Sequence, residues 1–285
     1  MPVEPPVVSP ASLAEAYAVA AAAAHRPLAG GTDLLVQISG EIGEPPERVL
    51  DLWRLDELRG IVISDGALEL GALTTYTDIR RSPLCAEHAP ALVEAAATIG
   101  AAQIQNRGTL GGNVMNASPA GDTLPVLLAL DAELVAGGLA GERSIPVAAF
   151  WPDYRTTAVR PDELLVRIRI PIVADRRQRF RKVGTRRAQA ISKVVIAVAW
   201  TEEPSQRAWH DVRLALGSVA ATPIRARATE TALEGAAPTP ETADRAMTAL
   251  AAELEPIDDV RSTAAYRREV ATRVLRRLVR DAGGW

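Results

Sequence analysis

Two glycine-rich segments contain the residue types that bind phosphate groups through the protein backbone. The first segment is Gly30-Gly31-Thr32-Asp33, and the second spans residues 108–122 and holds four glycines, two asparagines and a threonine. Glycine adopts positive φ and lets a ligand approach the main chain, and successive N–H groups that face one concavity form an anion site. The segments therefore predict phosphate binding, with Gly111 and Gly112 at positive φ. An ordinary glycine-rich surface loop is the alternative.

A helix start is expected at the end of the second segment. Asp122 and Thr123 precede Pro125 and the apolar run 126–130, an order that suits either residue as the N-cap and proline in the first turn. The partial positive charge of a helix N-terminus would add to the anion site.

Held between both segments, a dinucleotide fits this sequence well. Neither segment alone fits a known nucleotide-binding motif that is built from one loop. A Rossmann fingerprint needs G-x-G-x-x-G at a helix start, and a Walker A motif needs G-x-x-x-x-G-K-[ST]. Neither segment has these patterns, since residues 108–113 lack the lysine. Because a diphosphate carries charge on both sides, it can be held from two loops. A cofactor site built from both segments is therefore favoured.

Composition excludes several other classes of function. The chain has 285 residues, of which 48% are hydrophobic and 24% charged, as in soluble globular proteins. A net charge of −3 gives no electrostatic reason to expect nucleic acid or an anionic membrane as a partner. The sequence has neither an apolar stretch of membrane-spanning length nor a signal-peptide pattern, so we predict a cytoplasmic protein.

The metal-binding residue types are sparse. A single cysteine, Cys85, excludes cysteine-ligated clusters within this chain. The three histidines His25, His88 and His210 show no metal-ligand spacing. We therefore predict no metal site in this chain.

Periodicity and capping patterns indicate mixed helices and strands. A capping box at Ser12 and Glu15 predicts an alanine-rich helix that ends near residue 24. Glycines predict a turn over residues 137–143, and the polar, proline-bounded stretch 171–177 predicts a domain boundary. Strands are expected over residues 49–52, 61–63, 68–73, 132–135, 163–170, 180–183, 194–200 and 209–216. Helices are expected over residues 74–79, 90–98, 224–233, 241–254 and 263–280.

Several long motifs, in the same order, resemble one family. Residues 26–35 (RPLAGGTDLL), 99–113 (IGAAQIQNRGTLGGN) and 116–122 (NASPAGD) resemble the FAD-binding medium subunit of the molybdenum hydroxylases. This family includes carbon monoxide dehydrogenase, xanthine dehydrogenase and aldehyde oxidoreductases. The resemblance continues through RKVGTRR at 181–187 and AISK at 190–193. It extends to GSVAATPIR at 217–225 and DVRSTAAYR at 259–267.

The resemblance implies an α+β fold. Residues 1–173 would form an FAD-binding domain of the vanillyl-alcohol oxidase (PCMH) type, with subdomains at about 1–58 and 59–173. Residues 177–285 would form a C-terminal α+β domain of the carbon monoxide dehydrogenase flavoprotein type.

The resemblance also implies which residues contact FAD. Asp122 would be a polar contact, although a helix N-cap also explains it. Lys182 would be a further contact, with a solvated strand lysine as the alternative. Ile99 matches a position near the flavin that is phenylalanine in animal xanthine dehydrogenases, and Leu165 is the remaining single contact. The first pyrophosphate loop would be Pro27, Leu28, Ala29, Gly30, Gly31, Thr32, Asp33 and Leu34. The second would be Thr109, Leu110, Gly111, Gly112 and Asn113.

The family implies electron transfer, and the sequence offers no catalytic acid, base or nucleophile. Partners would be a molybdopterin-binding large subunit and a small subunit with two [2Fe–2S] clusters, with NAD or another compound as electron acceptor. The family also implies a dimer of heterotrimers. The single cysteine agrees with clusters that lie on another chain, and it argues against an additional [4Fe–4S] cluster here.

Residues 150–165 resemble the xanthine dehydrogenase branch more than the carbon monoxide branch, which predicts a purine substrate. A carbon monoxide, aldehyde or N-heteroaromatic dehydrogenase is the alternative within the family. A segment that only braces the FAD-binding domain is the alternative reading of these residues. Outside the family, a free-standing flavin oxidase and a non-enzymatic nucleotide-binding module stay open.

Overall fold

The structure is a computed structural model that describes residues 5–40, 44–186 and 189–285. Within these ranges the chain forms three β-sheets with helices between and around them, which confirms the predicted α+β class. The strands are β1 (Val7–Val8), β2 (Arg26–Leu28), β3 (Val49–Asp51), β4 (Ile61–Ser64), β5 (Ala67–Gly71), β6 (Glu133–Gly138), β7 (Gly141–Pro146), β8 (Leu164–Pro171), β9 (Arg177–Val183), β10 (Val194–Glu203), β11 (Ala208–Gly217) and β12 (Ile224–Arg225). The helices are α1 (Leu13–Ala22), α2 (Leu34–Ser39), α3 (Tyr76–Arg81), α4 (Pro83–His88), α5 (Pro90–Thr98), α6 (Ala102–Arg107), α7 (Leu110–Asn116), α8 (Leu124–Ala129), α9 (Arg227–Leu233), α10 (Pro240–Glu253) and α11 (Ala264–Gly283).

The first sheet is parallel, with strand order β1-β3-β2. Ser12 is the N-cap of helix α1, and its hydroxyl accepts the Glu15 N–H at 3.2 Å. The Glu15 carboxylate accepts the N–H of Ala11 at 2.7 Å, one residue before the partner of a standard capping box. Leu50 and Leu55 pack with Leu164 of β8 in one apolar core, which joins this sheet to the second.

The second sheet is antiparallel, with strand order β4-β5-β8-β6-β7. The turn predicted over residues 137–143 is shorter in the structure, because β6 and β7 stay paired up to Gly138 and Gly141 and only residues 139–140 form the turn. A Cβ atom on Gly137 would lie 2.3 Å from the Tyr17 hydroxyl oxygen. Glycine at this position therefore permits close packing within a strand.

The third sheet is antiparallel, with strand order β12-β11-β10-β9. Alternate residues of a strand face opposite sides of a sheet, and both faces of β10 are buried. Val194 and Ile196 pack with α9, α10 and α11, whereas Val195 and Ala197 belong to an apolar core formed mostly by residues 68–170. Helices α5 and α8 lie on this second face. Residues 224–225, predicted as helical, instead form β12, and α9 begins at Arg227.

Candidate cofactor site

Two adjoining cavities contain nearly all of the predicted site residues. The smaller cavity has a volume of about 160 Å³ and lies between the two glycine-rich segments. The larger has a volume of about 1060 Å³ and lies between residues 116–122 and C-terminal loops at 189–192 and 218–221.

Every predicted site residue except Leu110 lines one or both cavities. Leu110 is fully buried in the core. The smaller cavity is lined by Pro27, Leu28, Ala29, Gly30, Gly31, Thr32, Asp33, Leu34, Thr109, Gly111, Gly112, Asn113 and Leu165. The larger is lined by Thr32, Asp33, Ile99, Asn113, Asp122 and Lys182.

The first glycine segment leaves a row of backbone N–H groups available. In the part of the chain that the structure describes, the N–H groups of residues 29–33 make no hydrogen bond. Gly31 has φ of +76°, and its carbonyl accepts the Leu35 N–H at the start of α2. Since these residues line the smaller cavity, the row fits an anion bound there.

The second glycine segment is not the open loop that its composition predicts, because residues 110–116 form α7. The Thr109 hydroxyl caps this helix by accepting the Gly112 N–H at 3.0 Å. The N–H of Leu110 donates to the Thr74 carbonyl at 2.9 Å, and that of Gly111 donates to the Ala72 carbonyl at 3.0 Å. These N–H groups are therefore already bonded within the protein.

The expectation that Gly111 and Gly112 have positive φ is also wrong. A Cβ atom on Gly111 would lie 2.5 Å from the Ala72 carbonyl oxygen, so glycine there permits a close approach of two backbones. A Cβ atom on Gly112 would meet only the Thr109 hydroxyl oxygen, at 2.9 Å. Gly112 therefore gives the cavity a wall without a side chain.

A buried ion pair in the larger cavity joins the N-terminal and C-terminal parts of the chain. The Lys182 ammonium on β9 lies 2.6 Å from the Asp122 carboxylate, and it also donates to the Thr98 carbonyl at 3.3 Å. The Ser192 hydroxyl donates to the other Asp122 oxygen. Burial raises the pKa of Asp122, and its bonds to Lys182 and Ser192 offset part of that rise.

This geometry rules out both simple alternatives for the pair. Thr123, not Asp122, occupies the N-cap position of α8, and no side-chain cap bond is made there. The side chain of Lys182 is only 10% exposed, so it is not a solvated strand lysine. The arrangement fixes one positive charge at the wall of the larger cavity.

Apolar site residues lie in both cavities. Leu165 is buried on β8 in the smaller cavity. Ile99 is half-buried in the larger cavity, and its carbonyl accepts a hydrogen bond from the Gln105 side chain at 3.0 Å. Each cavity therefore has an aliphatic side chain in its wall.

Several cavity residues were not predicted as site residues, and Tyr76 and Asn116 are the two that line both cavities. Asn116 stands in a motif that resembles the family, and this could have identified it. Its amide donates to the Asp33 carboxylate at 3.2 Å. Tyr76 has no such signal, because α3 reaches the site through a β-bridge between Thr75 and Thr109 that only the folded chain creates.

Family comparisons agree with this geometry. The domain described as "FAD binding domain in molybdopterin dehydrogenase" matches residues 2–173, and "CO dehydrogenase flavoprotein C-terminal domain" matches residues 179–282. The chain belongs to this family of flavoproteins. The resemblance to the FAD-binding subunits of molybdenum hydroxylases is thereby confirmed, and FAD is the cofactor of this flavoprotein. The unpartnered N–H groups of residues 29–33, which line the smaller cavity, fit the diphosphate of FAD.

Individual relatives have different substrates in their names. The glyceraldehyde dehydrogenase medium chain of Sulfolobus acidocaldarius is 31% identical over 86% of this chain and 86% of the relative. The xanthine dehydrogenase FAD-binding subunit of Escherichia coli O157:H7 is 28% identical over 90% of this chain and 87% of the relative. A solved structure of reconstituted CO dehydrogenase from Oligotropha carboxidovorans has a TM-score of 0.93 at 28% identity, covering 100% of this chain and 99% of that chain. The xanthine dehydrogenase branch therefore stays a prediction.

Two features are absent from the described ranges. No helix there is long and apolar enough to cross a lipid bilayer. No group of three or more histidine, cysteine, aspartate or glutamate side chains in those ranges could hold a metal ion.

Proposed function

We propose that this flavoprotein is the electron-transfer subunit of a molybdenum hydroxylase built from three different chains. The proposed complex also contains a molybdopterin-binding large subunit and a small subunit with two [2Fe–2S] clusters, and it passes electrons from a hydroxylated substrate to NAD. FAD supplies the redox chemistry that amino-acid side chains lack. Two such heterotrimers form a dimer in this proposal, and the complex is located in the cytoplasm.

One observation carries the proposal: the N–H groups of residues 29–33, which line the smaller cavity, lack partners within the described residues. A diphosphate is a strong acceptor that such groups bind without any cationic side chain. The larger of the two cavities, about 1060 Å³, has room for a bulky group beside that diphosphate.

The other site residues have distinct proposed roles. Gly112 provides the bare wall of α7, and Thr109 holds that helix in place through its cap. Lys182, fixed by Asp122, presents a positive charge to the larger cavity. Ile99 and Leu165 provide apolar contacts. Leu110 contributes to the core beneath the site, not to a direct contact.

Xanthine or hypoxanthine is the proposed substrate, supported by the resemblance of residues 150–165 to the xanthine dehydrogenase branch. The Phe150 and Trp151 rings form an edge-to-face pair with centroids 5.4 Å apart. The indole of Trp151 donates to the Val114 carbonyl of α7 at 3.1 Å, so this pair also braces the site. An aldehyde substrate is the second candidate, because the glyceraldehyde dehydrogenase chain is 31% identical.

Co-purification of the chain with its partner subunits tests the electron-transfer role. We expect xanthine to bleach the flavin absorption of the anaerobic complex, while the isolated flavoprotein stays oxidised. Bleaching of the isolated chain by purine would support a free-standing oxidase. A complex that responds to glyceraldehyde or carbon monoxide and not to purines would retain the electron-transfer role and change only the substrate.

Acid precipitation tests how the cofactor is held. Neither glycine-rich segment contains histidine or cysteine, so no side chain there suits covalent attachment of FAD. We expect acid to release all of the flavin into the supernatant and phosphodiesterase to convert it to FMN. Colour that stays with the pellet would contradict non-covalent binding.

A further inference from the structure

The two cavities meet at a neck whose residues all bear hydrogen-bonding side chains. Five residues line both cavities, and we call this set the neck: Thr32, Asp33, Tyr76, Asn113 and Asn116. The smaller cavity continues from the neck along the free N–H row, and the larger one continues towards Lys182. A ligand that spans both cavities therefore passes through a ring of hydroxyl, amide and carboxylate groups.

The carboxylate of Asp33 is poorly suited to a diphosphate, because two anions repel each other. It already accepts the Asn116 amide at 3.2 Å, and its remaining lone pairs can accept hydrogen bonds from hydroxyl groups. The side-chain amide oxygen of Asn113 accepts a hydrogen bond from the Thr123 hydroxyl at 2.6 Å. The NH₂ group of the Asn113 side chain can therefore donate a hydrogen bond to a ligand.

Tyr76 brings a hydrogen-bond donor to the same neck. A Cβ atom on Gly108 would lie 2.8 Å from the Tyr76 ring, so the ring packs closely on the second segment. The Tyr76 hydroxyl makes no hydrogen bond to any described residue. The Tyr17 hydroxyl also lacks a partner, but it is completely enclosed by protein atoms. The Tyr76 hydroxyl is not enclosed in this way. The Tyr76 hydroxyl therefore faces the open space of the cavities.

The surroundings of Tyr76 keep its phenol protonated. Burial raises the pKa of Tyr76, and the carboxylates of Asp33 and Asp122 raise it further. A neutral phenol without a protein partner is available to donate one hydrogen bond to a ligand.

We propose that the neck is a polyol subsite. It binds the hydroxyl-bearing chain that links the diphosphate of FAD to its ring, with Tyr76 as donor and Asp33 as acceptor. This inference rests on the proposed function, because it requires FAD in these cavities. It assigns the Asp33 carboxylate to ligand hydroxyls, whereas the Asp33 N–H stays in the row that faces the diphosphate.

Tyr76→Phe tests the donor, and Tyr17→Phe is its matched control. Apo-flavoprotein would be titrated with FAD, and with ADP as a probe that has a diphosphate and no polyol chain. We expect Tyr76→Phe to weaken FAD binding about threefold to tenfold, which is the range for one hydrogen bond, and to leave ADP binding unchanged. Tyr17→Phe, which removes an enclosed hydroxyl away from both cavities, should change neither. Equal FAD binding by Tyr76→Phe and wild type, or equal weakening of ADP, would overturn the subsite.

Asp33→Asn provides an independent test because the two assignments predict opposite signs. If Asp33 accepts from ligand hydroxyls, the amide weakens FAD binding about tenfold and leaves ADP binding unchanged. If Asp33 lies beside the diphosphate, loss of its charge tightens the binding of both FAD and ADP, and the inference is wrong. Wild-type protein that fails to bind FAD would instead refute the proposed function itself, so the two failures are distinguishable.

Discussion

The two glycine-rich segments are similar in composition but differ in whether their backbone N–H groups are available to a ligand. In the first, the N–H groups of residues 29–33 have no partner within the described ranges, and Gly31 has positive φ. In the second, the N–H groups of residues 110–113 are all bonded to protein oxygens. The first segment can therefore donate to an anion, whereas the second forms part of the wall of the smaller cavity.

The difference follows from what surrounds each segment. Carbonyl groups of Ala72 and Thr74 meet the start of α7, because residues 72–75 pass alongside it through the Thr75–Thr109 bridge. The two segments also contact each other, since a Cβ atom on Gly30 would lie 1.7 Å from the Arg107 carbonyl oxygen. Glycine thus supports backbone donors in one segment and close packing in the other.

The largest effect is expected from Gly30→Ala. The added carbon would overlap the Arg107 carbonyl oxygen, at 1.7 Å, and the backbone on both sides is constrained. We expect the free energy of unfolding of the apoprotein to fall by about 3 kcal/mol, measured by urea denaturation. Gly66→Ala is the control, since its φ is +71° and no atom lies within 4 Å of the added carbon. The control should lose only about 1 kcal/mol, and an equal loss in both variants would remove the packing explanation.

The next largest effect separates the two neighbouring glycines of the second segment. Gly111→Ala places a carbon 2.5 Å from the Ala72 carbonyl oxygen, and we expect it to destabilise the apoprotein by about 2 kcal/mol. Gly112→Ala should destabilise the apoprotein by at most about 1 kcal/mol, because the added carbon meets only the Thr109 hydroxyl oxygen. It should weaken FAD binding at least tenfold, because the added methyl narrows the cavity. Urea denaturation measures the stability of both apoproteins, and titration with FAD measures their affinity for the cofactor.

The opposite pattern would contradict the division of roles within α7. If Gly111→Ala weakens FAD binding without loss of stability, Gly111 contacts the cofactor directly. If Gly112→Ala retains FAD with unchanged affinity, the bare wall is not needed.

Local patterns predicted much of the fold. Residues 166–170 alternate apolar and basic side chains, and β8 is the resulting strand, with Arg167 and Arg169 paired to Glu69 on its solvated side. Glycine-rich composition identified both site segments. It could not predict α7, because Gly-Gly-Asn is a poor helix former and the helix depends on carbonyl groups from residues 72–74.

The charged and polar contacts of the site were beyond local sequence reasoning. Lys182 and Asp122 are separated by 60 positions, and the pair forms only because α8 lies against the third sheet. Leu110 is a second residue whose position could not be predicted from the local sequence. It stands in the middle of a motif that resembles a pyrophosphate loop, yet the direction of α7 turns its side chain into the core.

Thr109→Ala gives the smallest expected effect and the sharpest comparison of the two segments. Loss of the N-cap should lower the free energy of unfolding by about 1 kcal/mol, because the Thr109 hydroxyl no longer accepts the Gly112 N–H. The substitution also releases that N–H towards the smaller cavity. If donors come only from the first segment in the native protein, FAD affinity should change less than twofold or rise slightly, since a new donor becomes available. Urea denaturation and FAD titration of the same preparation measure both quantities. A large loss of FAD affinity with unchanged stability would show that the Thr109 hydroxyl binds the cofactor itself, and the two segments would then share the role of anion donor.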